Sequence, residues 1–386
     1  MTVNAVSLPT SMRQQRQRLS KKRVTIIVGL FAVSLVIKAL FQHEPGDPAT
    51  KKAVAKLNSL GQTPLLDHAA SKDPWKQQLF GRLDRIRANC GQLCGINDVK
   101  SMEPYTLPGD QAFRQLRNIP VDCRAIMLDE DIDVGDLSVP HPPPDELIPY
   151  YSMHGAVNYA LGGKHNNVYL GGNQSFDPQT WTPEYLASFL EQRSGDYFKV
   201  NYYRWYGRYP QMLRNTIHKY IDMNGTRVLV VGSERPWVEA ICLKLGAAHV
   251  TTLEYGRIDN THPQITTRTP GEFRELYRTG KLEPFDVVVS FSSLEHPGLG
   301  RYGDSLNPWG DLLALARAKC VTKPGGYLAL AVPTGSDKVN FNAERQYWLV
   351  RYPLLTANWA RIDNETIVAS DKASYQPTLI FQNQPT

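Results

Sequence analysis

The residues best suited to chemistry stand where short apolar runs end. Residues Arg227–Gly232 read R-V-L-V-V-G, a β-branched run closing on a glycine, where backbone can approach a ligand and feed a helix N-terminus. Glu254 follows 22 residues on, in a second run, His249–Tyr255. An acid in that place accepts hydrogen bonds from both hydroxyls of a ribose. A further run, Phe285–Ser290, leads into Ser293-Leu294-Glu295-His296, which sets an imidazole of near-neutral pKa beside a carboxylate. Arg301, Tyr302 and Asp304 come next: two groups able to clamp hydroxyls or a carboxylate, and an acid to orient the imidazole. Elsewhere, Ile126-Met127-Leu128-Asp129-Glu130-Asp131 is an apolar run into D-x-D, whose carboxylates could hold a divalent cation against a nucleotide-sugar diphosphate. Asp133 extends it into an ordinary acidic turn, a common pattern.

The elements that must position these groups alternate short apolar strands with helices. Pro236 opens a helix with Trp237, Ile241 and Leu245 on one stripe. Ile265–Thr269 reads as a short third strand and Glu272–Arg278 as a short helix. Asn307-Pro308 caps and starts a helix striped by Leu312, Ala316 and Cys320, which stops at Lys323-Pro324-Gly325-Gly326. Tyr327–Val332 is a fifth strand, a helix is expected over about Ala343–Tyr352, and late strands fall near Ile362–Ala369 and Pro377–Gln382. This order predicts an α/β fold: a doubly wound, Rossmann-like, mostly parallel sheet with a C-terminal antiparallel hairpin at one edge. Its ligand would lie beyond the carboxyl ends of the strands. Upstream, Trp75, Leu79, Leu83 and Ile86 have helical spacing within an irregular, α-rich extension. Pro140–Pro149 is a proline-rich connector, and Thr182-Pro183-Glu184 opens a helix through about Gln192. The aromatic and basic cluster from Tyr197 to Tyr209 suits stacking on sugars, and packing more often still.

With Gly232, Glu254, S-x-E-H at 293–296 and K-P-G-G at 323–326 in place, residues 220–386 resemble the class I S-adenosylmethionine-dependent methyltransferases. The string E-H-P-G-L-G-R-Y-G-D-S-L-N-P-W-G-D at 295–311 is similar, more narrowly, to the domain-of-unknown-function family 268, itself methyltransferase-like in outline. The resemblance implies S-adenosylmethionine as cofactor, held by Gly232, Ser233, Glu234, Glu254 and Ser292, and no metal. It implies methyl transfer to an oxygen, or to a nitrogen, with His296, Glu295 and Asp304 as the catalytic groups and Arg301 and Tyr302 binding the acceptor. A sulfonium is already electrophilic, so alignment and proton removal are what the protein adds. One departure matters: the family's G-x-G-x-G loop is here Gly232-Ser233-Glu234-Arg235-Pro236-Trp237, with one glycine. Either Ser233 or Glu234 holds the donor's ammonium, or the fold is kept as a scaffold without chemistry. A Golgi-type glycosyltransferase using Asp129 and Asp131 with a metal is the remaining alternative.

Composition sets the context. The chain has 386 residues, 42% hydrophobic and 21% charged, which excludes a disulfide miniprotein and a wholly disordered chain. Its +6 charge resides in Arg13, Arg16, Arg18, Lys21, Lys22 and Arg23; apart from those six, 37 basic side chains balance 37 acidic ones. The body therefore has no basic footprint for nucleic acid. Val24–Phe41 follows, uncharged except for Lys38 and about 27 Å long as a helix. Positive charge on its N-terminal flank predicts a single-pass signal anchor with a cytosolic N-terminus and the rest in the ER or Golgi lumen. A cleaved signal peptide fits less well, because Lys38 and Leu40 stand where small residues guide the peptidase. The expected organisation is a basic tail at 1–23, the anchor at 24–41, a stalk at 42–72, an accessory region at 73–219 and the methyltransferase-like domain at 220–386. A lumenal site points to a glycan or another secretory-pathway acceptor, including a small molecule. An oxidising lumen would permit a bridge among Cys90, Cys94 and Cys123, whereas Cys242 and Cys320 fall in apolar helical patterns. Sequons at Asn173, Asn224 and Asn364 are about as many as chance gives.

Overall fold

A computed structural model of the chain describes residues 72–95, 102–104, 114–136, 139–162, 179–193, 197–202, 206–365 and 375–384. All of them fall in one compact unit, Pro64–Thr386. The basic tail, the expected anchor Val24–Phe41, residues 42–71 of the stalk and the sequon at Asn173 lie outside the described residues. No described helix is long and apolar enough to cross a membrane.

The helices run α1 (Pro74–Cys90), α2 (Cys123–Leu128), α3 (Ile148–Tyr151), α4 (Pro183–Ser188), α5 (Tyr209–Tyr220), α6 (Trp237–Lys244), α7 (Pro270–Arg278), α8 (Gly310–Cys320) and α9 (Arg351–Leu355). Short strands β1 (Met102–Pro104), β2 (Arg114–Leu116), β3 (Asn158–Leu161), β4 (Leu190–Gln192) and β5 (Phe198–Val200) precede the main sheet. That sheet is built from β6 (Arg227–Val231), β7 (His249–Leu253), β8 (Ile265–Arg268), β9 (Phe285–Phe291) and β10 (Thr322–Ala331). After β11 (Lys338–Phe341) and β12 (Glu344–Gln346), it is completed by β13 (Ala360–Arg361) and β14 (Thr378–Gln382). The spatial order is β13-β14-β10-β9-β6-β7-β8. Pairings β10/β9, β9/β6, β6/β7 and β7/β8 are parallel, whereas β14 runs antiparallel to both β10 and β13. This is a doubly wound, mostly parallel α/β arrangement, with the chain reversing direction across the sheet between β6 and β9, the switch point beyond which sheets of this kind bind ligands.

Period-two alternation explains the two-sided core. Leu229, Val288, Leu328 and Leu330 point to one face, joined there by Leu79, Leu83, Leu312 and Leu313. Val228, Val230, Val287 and Val289 point to the other, with Leu213, Ile217, Val238 and Ile241. Each such buried side chain contributes roughly 1.5–3 kcal/mol. The accessory region thus shares the core of the sheet, and a disulfide between Cys123 and Cys320 ties α2 to the end of α8. A second bridge joins Cys90 to Cys94, and Cys242 is the free, buried thiol. The expected bridge among the first three cysteines is therefore present as Cys90–Cys94, and the pairing of Cys123 with Cys320 at the end of α8 comes in addition.

Several local expectations change. The late antiparallel pair does form one edge of the sheet, with β13 outermost and β14 between it and β10, but its first strand is Ala360–Arg361 where one near Ile362–Ala369 was expected. The helix expected over Ala343–Tyr352 is instead the strand Glu344–Gln346 followed by α9, because Asn342, at φ +58°, turns the chain back to pair β12 with β11. Thr182 does cap its helix, accepting from Tyr185 N at 3.2 Å, but the helix stops at Ser188 and Leu190–Gln192 pairs with Phe198–Val200. Much of the aromatic cluster is packing: Tyr202 stacks on Trp237 at 5.4 Å, and Phe291 meets Trp237 and Tyr206 edge-on at 4.8 and 5.0 Å.

Candidate active site at the carboxyl edge of the sheet

The loop after β6 is held by two acids. Ser233 N donates to Glu254 Oε2 at 2.7 Å, and Tyr255 N to Glu254 Oε1 at 2.6 Å. Burial pushes the Glu254 carboxyl up to about 7. The Ser233 hydroxyl is spent elsewhere, 3.0 Å from Glu239 Oε2, while Thr252 Oγ1 donates to Glu239 Oε1 at 2.8 Å. Glu239 is wholly buried, which raises it to about 7. Both the amide and the hydroxyl of Ser233 are therefore committed to the two acids. Glu234 is exposed. Gly232, at φ +75°, is needed for a reason other than donor approach: a Cβ there would stand 1.6 Å from Ser293 Oγ. The loop after β9 packs directly on its Cα.

That second loop is a polar hub. Ser292 adopts φ +49°, a left-handed conformation costing a non-glycine residue on the order of 1–3 kcal/mol. Its Oγ donates to Glu295 Oε1 at 2.8 Å and accepts from Gln376 Nε2 at 3.1 Å, and the Tyr206 side chain also hydrogen-bonds it. Glu295 is 1% exposed, and burial drives its carboxyl up to about 8. Oxygens Glu295 Oε2 and Gln376 Oε1 are buried without a hydrogen-bond partner. His296 Nδ1 lies 2.7 Å from Ala343 O; a carbonyl only accepts, so Nδ1 carries the proton and Nε2 is left as an acceptor, 3.7 Å from Glu295 Oε1. Burial and the neighbouring Arg301 push the imidazole down to about 3. It stays neutral at physiological pH and does not have the near-neutral pKa wanted of a general base.

Asp304 is placed differently from expectation. Its carboxylate accepts from the backbone N–H groups of Gly298, Gly300 and Tyr302, so it shapes the loop and does not orient His296. The Ala343 carbonyl does that. Arg301 and Tyr302 do border His296: the guanidinium lies 5.4 Å from the Tyr302 ring centroid, and that ring meets the imidazole edge-on at 5.2 Å. From behind, Arg345 N donates to Glu295 O at 3.0 Å, Arg345 Nη1 to Pro297 O at 2.7 Å, and Tyr347 OH to Leu294 O at 3.1 Å. Arg345 and Arg351 both face Asp311, whose carboxylate Arg351 grips at 2.6 and 2.9 Å. Neither arginine nor Gln376 stood out in the sequence, for each lies far along the chain from the loop it serves.

The D-x-D expectation fails on its partners. Asp131 is paired bidentately with Arg85 at 2.6 and 2.9 Å, and Asp129 accepts from Asn89 Nδ2 and Asp131 N. Asp133 is gripped by Arg317 at 2.6 Å and by Arg274. Carboxylates committed to guanidiniums are not a preformed cation site. Beyond the ends of β7 and β8 two cavities open. One of about 720 Å³ lies between Tyr255, Arg257 and Thr269 on the sheet side and Val134–Asp136 and Gly303 opposite. Another, of about 510 Å³, runs from Glu254 to Arg268. Both are of ligand-binding size.

The sequence family described as "Caenorhabditis protein of unknown function, DUF268" matches residues 224–376, so the similarity read from residues 295–311 holds. No curated protein matches the chain. Among solved structures, a proposed S-adenosylmethionine-dependent methyltransferase from Listeria monocytogenes is similar at 11% identity, covering 46% of this chain and 99% of that one, with a TM-score of 0.31. The N-methyltransferase NodS from Bradyrhizobium japonicum WM9, in complex with S-adenosyl-L-homocysteine, is similar at 16% identity over 46% and 85%, with a TM-score of 0.28. A proposed hemolysin from Lactococcus lactis is similar at 11% identity over 47% and 90%, with a TM-score of 0.33. These likenesses are too loose to bear on activity.

Proposed function

We propose that the chain is an S-adenosylmethionine-dependent methyltransferase acting on a hydroxyl acceptor. The observation that carries this is Glu254, fixed at the end of β7 with one oxygen on the amide of the loop after β6. Its carboxylate accepts from the amides of Ser233 and Tyr255 and can still meet a ribose hydroxyl, and a cavity of about 510 Å³ opens beside it. The residues therefore fit an adenosyl group; at the amino-acid end, exposed Glu234 is the side chain of the loop free to meet an ammonium. When bound, the donor supplies a methyl group on a sulfonium, which departs as a neutral thioether.

The chain's own residues handle the acceptor. Glu295, once ionised, takes the hydroxyl proton, since its raised pKa makes it a competent base near pH 8. His296, held neutral on Ala343 O beside Glu295, borders the acceptor and does not remove its proton. Arg301 and Tyr302 line the approach. The two disulfides support placing this domain in an oxidising lumen behind the anchor expected at 24–41, where a glycan hydroxyl is the natural acceptor.

A second reading has one observation in its favour. Ser293 fills the face of Gly232 that open glycine-rich loops present to a donor, as a scaffold retaining the fold would allow. Thermal denaturation with S-adenosylhomocysteine separates the two. At 100 times Kd the active reading expects about 2.7 kcal/mol of stabilisation, abolished in Glu254→Ala. No stabilisation at millimolar ligand would leave the scaffold.

A further inference from the structure

The Ser233 hydroxyl has one proton and two oxygens that could take it. Arg235 O and Glu239 Oε2 each lie 3.0 Å away. A carbonyl only accepts, so both contacts are hydrogen bonds in one arrangement: Glu239 Oε2 bears a proton and donates to Ser233 Oγ, which donates to Arg235 O. The other Glu239 oxygen accepts from Thr252 Oγ1 at 2.8 Å, and the side chain is fully buried. Glu254 has the opposite surroundings. Amides of Ser233, Tyr255 and Gly256 all donate to it, a set that fits the ionised acid. Two carboxyls thus clasp one residue with a single proton between them, and it rests on Glu239. The charge of Glu254 helps to keep it there. Glu234 acts on Glu254, and the Cys242 thiol, one turn along α6, is held protonated by burial. On the other elements packed against α6, Glu184 is exposed, Tyr185 meets Phe189 and Glu191 pairs with Arg193, while Arg227 and His249 stand at the far ends of β6 and β7.

We propose that protonated Glu239 is a positioning residue that latches the loop after β6 against Glu254, and that the latch opens when Glu239 ionises. An ionised Glu239 claims the Ser233 hydroxyl and withdraws it from Arg235 O, the carbonyl on which Trp237 N also closes the entry to α6. It also sets a second negative charge behind Glu254. Both acids are raised to about 7, so the pair loses its protons in two steps, the second above the first. Folding raises Glu239 above its unfolded value, so the latch is whole at low pH and is lost as pH rises through the second step. What the loop is held for rests on the methyl-transfer reading, but the latch itself needs no donor.

The test compares the full chain with Glu239→Gln, whose side-chain amide donates to Ser233 Oγ at every pH and still accepts from Thr252. Hydrogen exchange of peptides covering residues 232–237 is measured on both at the same pH, so that intrinsic exchange rates cancel. Equal protection is expected at about pH 6. At about pH 9 the wild type should exchange roughly tenfold faster or more, while Glu239→Gln stays protected. Ser233→Ala, which lacks the hydroxyl, should exchange fast at both pH values; circular dichroism checks that the variants fold. Equal exchange of wild type and Glu239→Gln at about pH 9, or a Ser233→Ala loop as protected as the wild type at about pH 6, would overturn the latch. S-adenosylhomocysteine stabilisation is measured on the same samples and should weaken towards pH 9 in the wild type but not in Glu239→Gln. The difference in exchange without any such stabilisation keeps the latch and removes methyl transfer, whereas stabilisation with equal exchange overturns the latch alone.

Discussion

Replacing Glu295 with glutamine tests the electrostatics of the site most directly. The buried carboxyl titrates near 8 in place of 4.5, a gap that at about 1.4 kcal/mol per pH unit amounts to roughly 5 kcal/mol against the ionised form. The folded state therefore binds this proton more tightly than the unfolded chain does. Its contribution to stability is fully present below pH 4.5 and is lost as pH rises through 8. About 4 kcal/mol of that loss falls between pH 5 and 9. Glutamine cannot ionise, so Glu295→Gln should gain on the wild type by about this amount across the range, whatever its offset at pH 5. Urea denaturation of both proteins at each pH gives the difference directly. If methyl transfer is also present, wild-type turnover should climb to a plateau above pH 8 and the variant should lose about 10²–10⁴-fold. A stability difference flat in pH would refute the reasoning, for it would mean the carboxylate is charged in the fold throughout.

Other expectations follow from the same geometry. The His296 imidazole should show one neutral tautomer, protonated at Nδ1, from pH 5 to 8 by heteronuclear NMR; a midpoint between 6 and 7 would contradict its burial. Gly232→Ala should cost about 2–4 kcal/mol in chemical denaturation, and Ser293→Gly should restore the part due to the clash while leaving about 1 kcal/mol for the positive φ. Full recovery or none would show the contact misjudged. Cys123→Ala with Cys320→Ala opens a bridge 197 residues apart and should lower unfolding free energy by about 3–5 kcal/mol, seen as a lower urea midpoint; an unchanged midpoint would deny α2 its part in the core.

The sheet was legible because a buried parallel strand must be apolar on both faces, and Arg227–Val231 and Phe285–Phe291 are nearly that by composition. Glycine and acid at the ends of the first two strands were legible for the same reason: the switch point dictates their places. What escaped reading depends on contacts between distant segments. Gln376 stands 84 residues from Ser292 and has no local signature. Asp304 read as an orienting acid because spacing shows proximity in sequence and not which backbone amides will claim a carboxylate. His296 read as a base because a model imidazole titrates near neutrality; only its enclosure beside Arg301 removes that property. The helix expected over about 343–352 gives way to the turn at Asn342 and the pairing of β12 with β11.

The insertion of β14 between β10 and β13 has a consequence for assembly. Every fragment ending before Thr378 leaves one long side of Thr322–Ala331 with bare amides and carbonyls, flanked by Leu328 and Leu330. Such an unzipped border invites a foreign strand, so nascent or truncated chains should self-associate until Thr378–Gln382 seals it.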